Sequence, residues 1–214
     1  MRQQRNSRSP TQKLALFTAA VLAVYVGYYW GSQHGPRELP RQALSQLQDP
    51  VPIQSLQLLD QFGNAFTAQR LHGHWNLLFF GYRNSEQSTP ALLTLAVQIV
   101  NRLAERRELQ ENLQVIFVTL DPDRDKPEVL QPFVGHYHPD FLALTGPMDE
   151  IRHLARQLGV QFQRQDEPSR EDYRIDHSTN MALIDPKGRT LGLFTGVVDA
   201  VTIASDLKLI AETE

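Results

Sequence analysis

Apolar residues divide the chain into three parts with different patterning. Residues 14–30 (LALFTAAVLAVYVGYYW) are unbroken by charge. Residues 32–52 mix Gln, Ser and Arg with Pro36, Pro40, Pro50 and Pro52. From residue 53 onward, short apolar runs alternate with helical stripes. In that last part, residues 53–59 alternate apolar and polar and predict a strand, DQFGN at 60–64 supplies turn chemistry, and residues 65–67 begin the return strand. Residues 75–82 (WNLLFFGY) and 113–120 (LQVIFVTL) are continuous apolar runs, the pattern of strands buried on both faces. Between them Thr89-Pro90 predicts a helix start, a hydroxyl cap followed by proline at the first helical position. Its apolar stripe is Leu92, Leu95, Ala96, Ile99, Val100 and Leu103. An acidic loop at 121–125 (DPDRD) opens a helix over 128–137. A short strand at 141–144 follows, then a helix at 149–158 closed by Gly159. Strands at 181–184 and 190–194 flank the turn DPKG, and residues 200–211 form a last helix. This alternation predicts an α/β domain of three layers with a mixed sheet, and a thioredoxin-like arrangement fits it.

The apolar run has its own logic. As a helix, residues 14–30 would span roughly 26 Å, close to the ~30 Å hydrocarbon core. Tyr25, Tyr28, Tyr29 and Trp30 crowd its far end, where an aromatic belt meets the lipid–water interface. Arg2, Arg5, Arg8 and Lys13 give residues 1–13 a charge of +4, which leaves −7 for the rest of a chain whose net charge is −3. By the positive-inside rule the basic head stays cytoplasmic and the remainder is exported. A cleaved signal peptide is the rival, but aromatics stand where its small-residue cleavage site would be. The expected organisation is a basic head (1–13), one N-terminal transmembrane helix (14–31), a linker (32–52) and one domain (53–214).

The acidic body argues against nucleic-acid binding, which needs a basic footprint. The 214 residues contain no cysteine. That excludes a disulfide framework, a zinc ribbon and thiol-based redox or peroxidase catalysis. No glycine-rich phosphate loop, G-x-S-x-G elbow or H-E-x-x-H helix is present, so no nucleotide-enzyme or hydrolase motif can be read. An α/β sheet places ligands at the carboxyl ends of its strands, which directs attention to the loops after residues 82 and 120. The acidic loop could use its carboxylates on a hard cation, although helix-start charge and an internal ion pair account for it as well. His72-Gly73-His74 and His136-Tyr137-His138 have an H-x-H spacing that puts two imidazoles on one face of an extended segment. His177 follows Asp176 just before the apolar run at 181.

Several segments in order carry a resemblance: LDQFG at 59–63, WNLLFFGY at 75–82, VTLDPDRD at 118–125, LTG at 144–146, YRIDHS at 173–178 and LIDPKG at 183–188. Together they resemble the SCO/SenC proteins over about residues 53–212. The resemblance implies a thioredoxin-like fold tethered to the bacterial inner membrane, N-terminus in the cytoplasm and domain in the periplasm. It implies copper binding and a role in assembling cytochrome c oxidase, through two cysteines of a C-P-x-x-C-P motif after the F-G-Y strand and a histidine in D-H-S. His177 matches that histidine, while Ser85 and Thr89 stand at the cysteine positions and Glu86 at the first motif proline. Copper(I) is soft and a neutral hydroxyl is a poor ligand for it, and disulfide exchange needs two sulfurs. The expectation is therefore a non-enzymatic accessory factor that binds a partner: an oxidase subunit, a copper chaperone or a cysteine-bearing homologue. Tyr82, Asp121, Arg124 and His177 would line its recognition surface. The alternative is a copper(II) site built on His177 with Asp121 or with His136 or His138.

Overall fold

The computed structural model describes residues 20–26, 43–165, 173–196 and 199–213. The chain separates into two units, 1–39 and 40–214. In the first, residues 20–26 are helical (α1). The rest of the expected 14–31 span lies outside the described residues, among which no helix is long and apolar enough to cross a membrane.

The second unit is built on an eight-stranded mixed sheet. Its strands are β1 (Leu44–Pro52), β2 (Gln57–Asp60), β3 (Ala65–Thr67), β4 (Trp75–Gly81), β5 (Leu113–Thr119), β6 (Leu142–Thr145), β9 (Met181–Ile184) and β10 (Arg189–Phe194). A separate two-stranded sheet pairs β7 (Phe162–Gln165) with β8 (Arg174–His177). The large sheet runs in the order β1-β10-β9-β4-β5-β6-β2-β3. The β4–β5 and β5–β6 pairings are parallel, and the other pairings of this sheet are antiparallel. β4 and β5 are in register from Trp75 opposite Leu113 to Gly81 opposite Thr119.

Alternation along these central strands sends side chains into two cores. Leu77, Phe79, Val115 and Phe117 point to one face. There they join α2 (Ser88–Arg102), α4 (Pro127–Gly135) and α6 (Ala200–Ala211). Leu78, Phe80, Ile116 and Val118 point to the other and meet Ile151, Leu154 and Ala155 of α5 (Met148–Gln157). The continuous apolar runs are thus explained by burial on both faces, and the three-layer α/β expectation holds.

Three readings need correction. Residues 44–52, taken as the end of a linker, form edge strand β1, and the compact unit begins at Pro40 rather than 53. An edge strand tolerates Pro50 and Pro52 because half of its N–H groups need no partner. In the sheet β1 pairs with β10 on one side, Leu44 packs into the core, and the Asp206 carboxylate accepts from the N–H groups of Ala43 and Leu44 at 2.7 and 3.0 Å. Thr89 does not cap α2 either. The helix starts at Ser88, and Thr89 is fully buried. Finally, β7, β8 and the short α3 (Arg107–Glu111) have no counterpart in the sequence-based expectation.

Candidate functional site

The parallel strands β4 and β5 end side by side, where the Leu120 N–H donates to the Gly81 carbonyl at 2.7 Å. From this edge two loops emerge, one into α2 and one into α4.

The first loop is shaped by a close approach. A Cβ on Gly81 would lie 2.4 Å from Thr89 Oγ1, so only glycine lets the first turn of α2 close on the strand end. Thr89 Oγ1 then accepts the Tyr82 N–H at 3.0 Å. The Thr89 N–H donates to Ser85 Oγ at 3.3 Å, so Ser85 caps the helix start.

From Ser85 a chain of hydrogen bonds runs outward. Ser85 Oγ lies 2.7 Å from Ser88 Oγ, Ser88 Oγ lies 3.0 Å from His177 Nε2, and His177 Nδ1 lies 3.1 Å from the Ser178 carbonyl. A carbonyl can only accept, so Nδ1 carries the ring proton and Nε2 of the neutral imidazole presents its lone pair. Ser88 must then donate to His177, and Ser85 to Ser88. One carbonyl thereby sets the polarity of every hydroxyl back to the helix start. Burial pushes the His177 imidazole below its usual range, against a smaller upward pull from the Ser178 carbonyl and Asp176, which favours this neutral form. Tyr82 packs edge-on to the imidazole, ring centres 6.1 Å apart.

The second loop is a charged clamp. Asp121 is buried and accepts from the Tyr173 hydroxyl at 2.5 Å and from Arg124. The Arg124 and Arg164 guanidinium groups lie over the Tyr173 ring, 3.8 and 3.6 Å from its centre. Tyr173 immediately precedes β8, so this cation–aromatic sandwich pins the two-stranded sheet that carries His177. Burial first, then the Asp121 carboxylate, pushes the Tyr173 phenol up to about 12. Behind the clamp, Asp125 accepts from Thr119 Oγ1 at 2.6 Å and from the Arg83 N–H at 3.0 Å, which ties the two loops together.

Between the loops and β8 lies a cleft of about 800 Å³. Of the residues singled out from sequence, Tyr82, Ser85, Arg124 and His177 line it. Asp121 faces a neighbouring cavity of about 600 Å³ beside α5, and Thr89 lines neither. Ser88 and Tyr173, not selected from sequence, line the cleft too. Glu86 and Arg174 pair across it at 3.1 Å, both exposed.

The other histidines are elsewhere. His72 and His74 precede β4, and His136 and His138 precede β6, so both pairs lie at the amino ends of parallel strands, whereas the cleft lies at the carboxyl ends of β4 and β5. His138 is occupied locally, stacked on Phe141 and accepting the Asp140 N–H. Neither pair lines the cleft that holds His177. Among the described residues, no three His, Cys, Asp or Glu side chains are grouped to hold a metal ion.

The SCO1/SenC family profile matches residues 45–212. An SCO2-like protein of Rickettsia typhi is 28% identical over 203 residues, covering 94% of this chain and 98% of its own. The mitochondrial protein SCO1 of Saccharomyces cerevisiae is 34% identical over 134 residues, covering 62% of this chain and 44% of its own. The copper-bound structure of yeast Sco1 superposes with a TM-score of 0.69 at 29% identity, over 77% of this chain and 91% of that one. Copper-bound ScoI of Arabidopsis thaliana gives 0.69 at 25% identity, over 74% and 98%.

The donor set does not fit copper(I). Ser85 and Thr89 offer neutral oxygens already engaged in hydrogen bonds, and the Nε2 lone pair of His177 faces the Ser88 hydroxyl. Among the described residues, Met181 is the thioether that shares a pocket with Ser88, and it is buried on the side away from the cleft lining.

Proposed function

The chain belongs to the SCO1/SenC family, and from that premise we propose that it is an accessory factor of copper handling or cytochrome c oxidase assembly that acts by binding a partner. The copper-bound structures of its relatives support the copper context. The hydroxyl chain carries the remainder of the reading. Where thiols would hold and pass a soft ion, Ser85 and Thr89 are locked into internal hydrogen bonds, so neither thiolate ligation nor disulfide exchange is available. What stays open to a partner is the cleft with Tyr82, Arg124 and His177, braced by Asp121. The partner is an oxidase subunit, a copper chaperone or a cysteine-bearing homologue. Residues 14–31 tether the domain to the bacterial inner membrane on its periplasmic side, in keeping with the basic head and aromatic belt.

A photo-crosslinking residue at the exposed Asn84, in the full-length protein in its native membrane, should capture one of these three partners. Charge reversal at Arg124 should abolish the product. Calorimetry should show no tight copper(I) binding by the natural chain and a gain in the double variant Ser85→Cys/Thr89→Cys. Tight copper(I) binding by the natural chain, or no specific crosslink, would overturn the proposal.

A further inference from the structure

We infer that Ser88 and His177 form a nucleophile–base pair able to transfer short acyl groups from esters, an activity separate from partner binding. A serine hydroxyl becomes nucleophilic when a neighbouring base can take its proton and a third group orients that base. Both conditions are met. The Ser88 hydroxyl points at the Nε2 lone pair from 3.0 Å, and the Ser178 carbonyl holds the ring from its other nitrogen at 3.1 Å. Ser88 and His177 are only half-buried, so a ligand in the cleft can reach them.

Two further features suit an ester. Ser88 lies between two cavities of different character: the polar 800 Å³ cleft, and a mainly apolar pocket of about 190 Å³ lined by Leu92, Leu95, Met181, Phe194 and Ile203, with Thr179 at one side. A short acyl chain fits the apolar pocket with its carbonyl at Ser88, while a polar leaving group occupies the cleft. Ser88 also opens α2, where the first N–H groups have no acceptor within the helix. Thr89 spends its N–H on Ser85 and Pro90 has none. The N–H groups of Gln87 and Ser88 carry no such commitment, and in this scheme they face a developing oxyanion.

The chemistry balances without a redox partner. Ser88 Oγ bonds to the acyl carbon as the bond from that carbon to the leaving oxygen breaks. The Oγ proton passes to Nε2 and from there to the leaving oxygen. Water, giving its proton to Nε2, then releases the carboxylic acid and regenerates Ser88. Residues 88 and 177 are 89 positions apart, so no local motif announces the pair.

The test uses the full-length protein in detergent with p-nitrophenyl butyrate. The expected result is a nitrophenolate burst approaching one equivalent and a butyryl adduct on Ser88 in peptide mass spectrometry. Ser88→Ala should abolish both, His177→Gln should slow acylation about 100-fold, and the decanoyl ester should react far more slowly. Glu111→Ala, on α3 and outside both cavities, should leave the rate unchanged. Circular dichroism and urea midpoints matching the natural chain establish that the variants fold. No burst, an adduct on another residue, or equal rates for Ser88→Ala and the natural chain would overturn the inference. Because acylation is read on the isolated protein and partner capture in membranes, either can fail without the other.

Discussion

Two loops leave the same sheet edge and are built on opposite principles. The loop after β4 is neutral: Ser85, Ser88 and His177 pass a one-way chain of hydrogen bonds to a single carbonyl. The loop after β5 is ionic: a buried carboxylate and two guanidinium groups lock around the Tyr173 phenol. A neutral chain can lose a member at the cost of about one hydrogen bond, whereas a buried ion stripped of a partner retains its desolvation cost. The difference teaches where this fold can change its chemistry. The clamp holds the shape of the site, and the hydroxyl chain is the part that can be exchanged cheaply.

The sharpest way to break the contrast is Asp121→Ala. It leaves Arg124 and the Tyr173 hydroxyl without their shared acceptor, and we expect a loss of about 3 kcal/mol in urea denaturation. Tyr173→Phe keeps the ring sandwich and removes only the hydrogen bond to the carboxylate, for about 2 kcal/mol.

The same variant carries a pH signature. The phenol is raised in the folded state to about 12 from its ordinary 10. Its contribution is therefore complete below pH 10 and lost as pH rises through 12. In the natural chain stability should fall across that alkaline window, and in Tyr173→Phe the fall should be shallower. Equal slopes would show that the phenol is not what the clamp holds.

On the neutral side, Ser85→Ala removes the cap of α2 and should cost about 1 kcal/mol. A cost equal to that of Asp121→Ala would erase the distinction between the loops. The smallest effect belongs to Glu86→Ala, whose exposed pair with Arg174 should contribute less than about 0.5 kcal/mol in thermal melts.

The legibility of the molecule follows these interactions. Strands β4 and β5 and helices α2, α5 and α6 were readable because burial imposes a period on their own residues. β1 was not: Pro50 and Pro52 read as tether, and the β10 neighbour and Asp206 make that stretch a strand. β7 and β8 are short and polar, and each is a strand because the other pairs with it. In the site, His177 and Ser85 were reached through the resemblance. Ser88 was missed because nothing near it in sequence marks it, and Tyr173 because its clamp closes across 52 residues.

The sequence by itself determined the layered α/β core, the absence of any thiol chemistry and the family of the chain, since each depends on residue type and local order. Tertiary structure alone decided which hydroxyl meets His177, that both H-x-H pairs lie at the wrong end of the sheet, and that Asp121 braces the site without lining its cleft. A hydrogen bond depends on distances of a few tenths of an ångström between residues far apart in the chain, and no period or motif encodes that.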